Sequence, residues 1–176
     1  MNLEKADYFV IAQFGNLDLI LQKLNLENKN IDDIKNVCNK NHISLFEQSL
    51  IFRNFDISNY LLENKVKLNV ISNENRNELH YIAANINNSK AIKITKYLID
   101  QSVDLNLQDK EFGNTPFWYL CLETMKVNSE ELFDLIQYCL TNGAKFDIKN
   151  KKELSILNLV HERKNKIMQK LFEGVN

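Results

Sequence analysis

The sequence predicts an all-α protein, an α-solenoid of about five stacked helix–turn–helix repeats joined by short hairpin loops. Three observations predict it. Only 4 of the 176 residues are Gly and 1 is Pro, which disfavours turn-rich β architectures and long structureless loops. A paired apolar signal then recurs, ending at 24, 62, 99, 140 and 172, intervals of 38, 37, 41 and 32 residues. Finally, the pairs are followed by a turn and a short extended segment, as in Lys65-Val66-Lys67-Leu68-Asn69, Ser102-Val103-Asp104-Leu105-Asn106 and Gly143-Ala144-Lys145-Phe146-Asp147.

Each unit follows the same logic. Residues 1–40 pack through Ile11 and Ala12 and close on Lys23-Leu24, although 25–40 exceed a normal hairpin. Residues 41–73 pack through Ser49 and Leu50 and close on Leu61-Leu62. Residues 74–109 use Ile82 and Ala83, carry extra residues near 86–90, and close on Leu98-Ile99. In 110–148, Thr115 is placed to cap a helix with its hydroxyl and Pro116 to take the first helical position, where its missing N–H is harmless. Leu120 and Cys121 pack in that unit, an insertion near Glu123–Asn128 follows, and Asn128 or Ser129 precedes Glu130-Glu131 as the start of the next helix. Gly143 suits a left-handed helix end. The last unit, 149–176, starts at Ser155, closes on Leu171-Phe172, and offers Glu153, Asn158, Lys166 and Lys170 as a polar outer side. One unit cannot bury its own apolar face, so stacking supplies the core and the chain forms a single domain over 1–176.

The chain resembles the ankyrin-repeat family. Thr115-Pro116-Phe117-Trp118 matches the family's Thr-Pro-Leu-His start with aromatic replacements, and Leu79-His80 matches its second half. Gly15-Asn16-Leu17-Asp18-Leu19-Ile20 matches the turn between helices, Gly143-Ala144 the closing doublet, and Ser155–Val160 a terminal capping repeat. No unit keeps the full Thr-Pro-Leu-His, and the Gly-Ala doublet occurs intact once, so a generic α-solenoid is the competing architecture. The resemblance implies that the His80 ring bonds backbone near a hairpin, and that Trp118 stands at a usually buried position.

Composition bounds the function. The net charge of −1 argues against a nucleic-acid binder, which needs a basic stripe to neutralise phosphates. The dense basic stretches, Lys149–Lys152 and Arg163–Lys166, fall at turns and read as solvated surface. Cys38, Cys121 and Cys139 are far apart, without a C-x-x-C pair, as in a reducing compartment. The opening Met1–Asp7 lacks a basic region followed by an apolar core, and no apolar run approaches the ~18–20 residues of a membrane span. The expected location is cytoplasmic, and the expected state is a free monomer without membrane contact. The frequent Asn, Lys and Ile read as AT-rich codon bias rather than function.

Little in the chain points to chemistry. His42, His80 and His161 are isolated, without zinc-ligand spacing. Asp32-Asp33 and Glu130-Glu131 are adjacent in sequence, and neighbours on a helix point apart, so they make poor acid/base dyads. Neither a phosphate-cradling glycine loop nor a nucleophile elbow occurs. No metal or cofactor is expected, and the chain is expected not to be an enzyme. Phe9, Phe14, Phe46, Phe52, Tyr60, Tyr97, Tyr138 and Phe172 fall on helical faces and are mostly expected in the core.

The resemblance implies a binding surface along hairpin tips and the outer faces of first helices. Carried over, it comprises Ile51 and Phe52, then Asn73, Glu74, Arg76 and Asn85, then Glu111, Phe112, Asn114, Tyr119 and Glu123. Ile43, Ala84, Leu122, Lys152, Leu154 and Arg163 lie on the same expected surface. Phe112 either stands exposed at a tip as an anchor or folds back onto the segment after Leu122. Glu74, Glu111 and Glu123 are expected to make the centre acidic. The expected function is stoichiometric protein binding without catalysis, as an immunity protein that occludes a cognate toxin, a basic toxin domain suiting the acidic centre. The alternatives are a scaffold or effector engaging a host or cellular protein, and an enzyme within an atypical solenoid.

Overall fold

A computed structural model describes residues 1–174. Among them are ten α-helices and no strand: α1 (Tyr8–Phe14), α2 (Leu17–Leu26), α3 (Leu45–Ile51), α4 (Phe55–Glu63), α5 (Glu78–Ile82), α6 (Ser89–Asp100), α7 (Pro116–Val127), α8 (Glu130–Thr141), α9 (Ile156–Glu162) and α10 (Lys166–Glu173). Short 3-10 turns lie at Ile31–Asp33 and Ala83–Asn85. The last two residues of the expected fifth unit lie outside the described residues.

Most helices begin where a short polar side chain precedes an apolar stretch and accepts one of the otherwise unpaired first amides. Thr115 Oγ1 accepts from Trp118 N at 3.1 Å, with Pro116 at the first helical position. Ser155 Oγ accepts from Asn158 N, and Asn158 Oδ1 accepts in return from Ser155 N. Asp7, Asn16, Ser44, Asn77, Asn88 and Asn165 do the same work for α1, α2, α3, α5, α6 and α10. Ser129 precedes α8 without a side-chain cap bond, contrary to expectation; Glu130 and Glu131 sit in the first turn, where carboxylates favour the positive helix end.

The helices contact one another in consecutive pairs, α1 with α2 through α9 with α10. The first members also touch in series, α1 to α3 to α5 to α7, and the second members α2 to α4 to α6 to α8 to α10. Ile11, Leu50, Leu79, Ile82, Phe117 and Leu120 from the first layer are fully buried, as are Leu98, Leu135, Ile136 and Cys139 from the second. Phe172 joins α10 to this core by stacking on Phe146 at 5.0 Å and packing obliquely on Phe117 at 6.1 Å.

Four second helices end in the same turn. Asn28, Lys65, Ser102 and Gly143 follow α2, α4, α6 and α8 with φ of +52°, +56°, +60° and +88°. The next residue's amide then reaches back to a helical carbonyl: Lys29 N to Leu24 O, Val66 N to Leu61 O, Val103 N to Leu98 O, and Ala144 N to Cys139 O, all within 2.9–3.1 Å. This is the Schellman closure, which satisfies carbonyls the helix leaves unpaired.

Hairpin tips follow. Tips at 39–43, 72–76, 109–114 and 150–154 are each closed by a backbone bond of 2.9 Å, Asn39 N to Ile43 O, Ser72 N to Arg76 O, Asp109 N to Asn114 O, and Asn150 N to Leu154 O. Further backbone bonds stitch tip to tip: Asn73 N to Asn41 O, Lys110 N to Glu74 O, and Lys151 N to Phe112 O. Gly113 (φ +71°) is needed at the last junction, because a Cβ there would stand 3.1 Å from Lys151 N.

Two expectations gain detail and one is corrected. The expected insertion after Leu122 takes the form of extra helix: α7 runs on to Val127 and stops at Asn128, whose left-handed backbone (φ +58°) returns its N–H to Thr124 O. Phe46 and Phe172 are core, but Phe14 and Tyr97 are 71% and 42% exposed; Phe52, also placed on the expected contact surface, is 40% exposed. Phe14 and Phe52 occupy the C-terminal ends of α1 and α3. The abundant Asn residues, read as codon bias, also make long-range structural bonds. Asn54 Nδ2 donates to Gly15 O, Asn77 Nδ2 to Asp104 O, and Asn106 Nδ2 to Gly143 O, each joining segments 27 or more positions apart.

Candidate protein-binding surface

The tips and the exposed sides of α1, α3, α5 and α7 carry the expected contact residues, and the structure treats them unequally. Glu74 and Asn73 are exposed at the second tip. Asn73 Nδ2 donates to Lys40 O, and its backbone N donates to Asn41 O. Ile51 is half-buried at the end of α3, and Phe52 beside it is exposed, its ring 6.4 Å from that of Phe14.

Five expected residues converge around one cavity of about 220 Å³. Arg76, Phe112, Tyr119 and Glu123 line it together with His80, Ala83 and Ala84, and Glu111 adjoins through Arg76. Phe112 stands 46% exposed at the tip rather than folded away. Beneath it lies a polar network in which, of the buried side-chain atoms of Arg76, Asp109, Tyr119 and His80, Arg76 Nε alone lacks a hydrogen-bond partner. Asp109 is buried, accepts from Phe112 N at 2.7 Å and Gly113 N at 3.1 Å, and takes the Tyr119 hydroxyl at 2.6 Å. Burial alone would raise the Asp109 carboxyl, but the Tyr119 hydroxyl, the two amides and Arg76 outweigh it and hold it below the usual carboxylate range. Burial and the bond to Asp109 push Tyr119 up to about 12.

His80 is part of this framework. Its Nε2 donates to Asn114 O at 3.3 Å, its Nδ1 accepts from Asn77 N at 3.2 Å, and its ring meets Tyr119 edge-on at 6.0 Å. Burial first, and Arg76 second, push it down to about 4, so the ring is neutral near pH 7 and holds the tip to α5. Burial likewise pushes the thiols up, Cys139 to about 12 and Cys121 well above its ordinary value, which suits packing rather than thiolate chemistry.

Two expected contact residues are instead buried. Asn85 gives its amide to Leu50 O at 2.8 Å and so caps the end of α3. Asn114 accepts from Asn150 Nδ2 at 2.9 Å, a bond between the third and fourth tips. The expected acidic centre is also largely neutralised within the chain. Glu111 pairs with Arg76 at 2.8 Å, and Glu123 pairs with Lys126. Glu74 alone of the three has no ion-pair partner among the described residues.

Sequence reasoning placed Leu154 and Lys152 on the contact surface but missed Phe14, and it did not bring Lys110 and Lys151 together beside Phe112. Gly15-Asn16 marks the end of α1 and could have placed Phe14 at an exposed helix terminus. The Lys149–Lys152 stretch was visible, but its closeness to Phe112 depends on the tip-to-tip bond from Lys151 N to Phe112 O.

Comparison with known proteins finds no family model that the chain matches and no curated protein similar to it. No helix among the described residues is long and apolar enough to cross a membrane.

Proposed function

We propose that the chain is an ankyrin-type repeat protein that works by binding another protein stoichiometrically, without catalysis. The observation carrying this reading is the continuous row of hairpin tips, each bonded by backbone to the next (Asn73 to Asn41, Lys110 to Glu74, Lys151 to Phe112), beside exposed apolar side chains on the first helices. The repeated Schellman closures at Asn28, Lys65, Ser102 and Gly143 support a repeat architecture of this type. The frame so fixed holds Phe112 in the tip row and Phe14 and Phe52 at the C-terminal ends of α1 and α3, and rigid anchors lose little entropy on binding. Polar groups beneath the tips are spent on internal bonds, as at Asp109, Tyr119 and His80, which favours a display surface over an acid/base centre. The particular duty put forward is immunity, by occlusion of a cognate toxin.

The test is affinity purification of the tagged chain from its native cells, with mass spectrometry. One stoichiometric partner is expected, retained by the unaltered chain and released when Phe14, Phe52 and Phe112 are changed together to Ser. Retention unaffected by that triple change sinks the reading. A captured toxin whose activity is blocked at 1:1 supports immunity, and a captured host or cellular regulator supports the scaffold role.

A further inference from the structure

We propose that the slot between the third and fourth hairpin tips captures an acidic segment of the partner protein through one apolar side chain. The inference rests on the protein-binding reading and specifies the chemistry of what is bound. The slot has a volume of about 290 Å³, with Phe112, Trp118 and Leu154 as apolar walls and Lys151 and Lys152 at its edge. Phe112 and Leu154 remain 46% and 41% exposed, an apolar ledge that a partner side chain would cover. A cavity of this size suits one aromatic or long aliphatic side chain.

The charge around the slot selects the flanking residues. Lys151, Lys152 and Glu111 line it, and the second to fourth tips around them carry the cations Arg76, Lys110 and Lys149 and the carboxylates Glu74, Asp109 and Glu153. Three of the four carboxylates are answered internally, Asp109 and Glu111 by Arg76 and Glu153 by Lys149 at 3.5 Å, and the fourth, Glu74, does not line the slot. Lys110, Lys151 and Lys152 have no carboxylate partner among the described residues. Lys110 Nζ rests on Asn73 O, and Lys151 Nζ rests on Lys110 O, so two of the three are positioned while keeping further N–H donors for a ligand. The frame is rigid: Gln108 Nε2 bridges Gly113 O and Lys149 O, and Asn150 joins Asn114. A preorganised apolar slot with unanswered cations at its edge complements carboxylates flanking an apolar anchor. A whole-chain charge of −1 opposes a phosphate backbone. A membrane would require an apolar protrusion, whereas this apolar surface lines a recess.

The test titrates the isotope-labelled full chain, followed by NMR, with a capped peptide Glu-Asp-Glu-Phe-Glu-Asp-Glu. The amides of Lys110, Phe112, Lys151 and Leu154 are expected to shift together. Replacing the peptide's Phe by Ala is expected to weaken binding about tenfold, as loss of an interface anchor does. Lys151→Glu with Lys152→Glu is expected to abolish the shifts at unchanged melting temperature. Lys152→Glu alone serves if the double variant is unstable, and it is expected to weaken them. Absence of shifts at the tips overturns the proposal. So do equal shifts with a lysine-for-acid peptide, or tip shifts given instead by a thymidine oligonucleotide or phosphatidylserine vesicles. A native partner still retained by the double variant refutes this slot while leaving the protein-binding reading intact; the absence of any stoichiometric partner refutes the reading itself.

Discussion

The side-chain amide of Asn85 donates to the carbonyl of Leu50 at 2.8 Å, across 35 positions of sequence. One unit thereby closes the end of the preceding unit's first helix. Asn54 does the same one step earlier, donating to Gly15 O at 2.9 Å at the end of α1. These amides replace water at carbonyls that helix ends leave unpaired. Asn85→Ala removes the donor and strands a buried acceptor, so it is expected to cost about 1–3 kcal/mol. Urea unfolding followed by circular dichroism checks this: the midpoint should fall with the slope unchanged. Loss below about 0.3 kcal/mol would mean that water substitutes for the amide.

That contact also shows where sequence reading stops. Helix starts at Thr115, Ser155 and Asn16 were legible because a cap acts within three residues of itself. The closures at Lys65, Ser102 and Gly143 were legible for the same reason, each being local to one helix end. Asn85 was misassigned to the contact surface because the carbonyls it serves lie in another unit, and its composition alone cannot reveal them. The acidic centre expected of Glu111 and Glu123 changed for a similar reason: their charges were visible, but Arg76 reaches Glu111 only after two tips are stitched together. Lys126 was three residues from Glu123 and could have been read as its partner.

Phe14 and Phe52 form an exposed aromatic pair at the ends of α1 and α3, with 71% and 40% of their surfaces open. Side chains so exposed contribute little burial, while their ring contact is worth about 0.5–1.5 kcal/mol at most. Phe14→Ser with Phe52→Ser is therefore expected to lower stability by less than about 1.5 kcal/mol and to lower partner affinity about tenfold or more. Thermal unfolding and calorimetric binding to the captured partner separate the two effects. A large stability loss with affinity unchanged would assign the pair to the fold instead.

Lys65 and Ser102 hold the left-handed conformation that Gly143 holds at the equivalent helix end. An L side chain there costs roughly 1–2 kcal/mol in an unsupported context, and glycine avoids it. Lys65→Gly and Ser102→Gly are each expected to raise stability by about 0.5–1 kcal/mol, after allowance for the unfolded chain's added freedom. Gly143→Ala should lower it by about 1 kcal/mol, although a Cβ there meets nothing within 4 Å, because the penalty is conformational rather than steric. Equal stability of Gly143→Ala and the unaltered chain would contradict this account.

Glu47 and Glu78 are fully buried carboxyls in the adjacent helices α3 and α5, and each has one oxygen without a partner. Glu47 accepts from Ser44 N at 2.7 Å, and Glu78 accepts from Val70 N at 3.1 Å. Burial pushes Glu47 up to about 8; the bonds to Ser44 oppose this, and the neighbouring Glu78 adds to it. Burial also raises Glu78, against the backbone amides of Glu78, Val70 and Asn69. The other groups sensing this region are Cys38, raised by burial and then by Glu47, and Tyr81, raised by burial and by Glu47 while Ser72 and Arg76 oppose. A carboxyl raised on folding binds its proton more tightly in the native state. Its stabilising contribution is complete below the unfolded value near 4.5 and is lost as pH rises through about 8. Melting temperature should therefore fall between pH 5 and pH 8.5, on a scale of a few kcal/mol at most. Glu47→Gln keeps an acceptor for Ser44 N without an ionisable proton, so it should flatten part of that fall and be the more stable form at pH 8.5. Parallel pH profiles for the two proteins would show that the Glu47 carboxyl gains solvent or a counter-charge when it ionises.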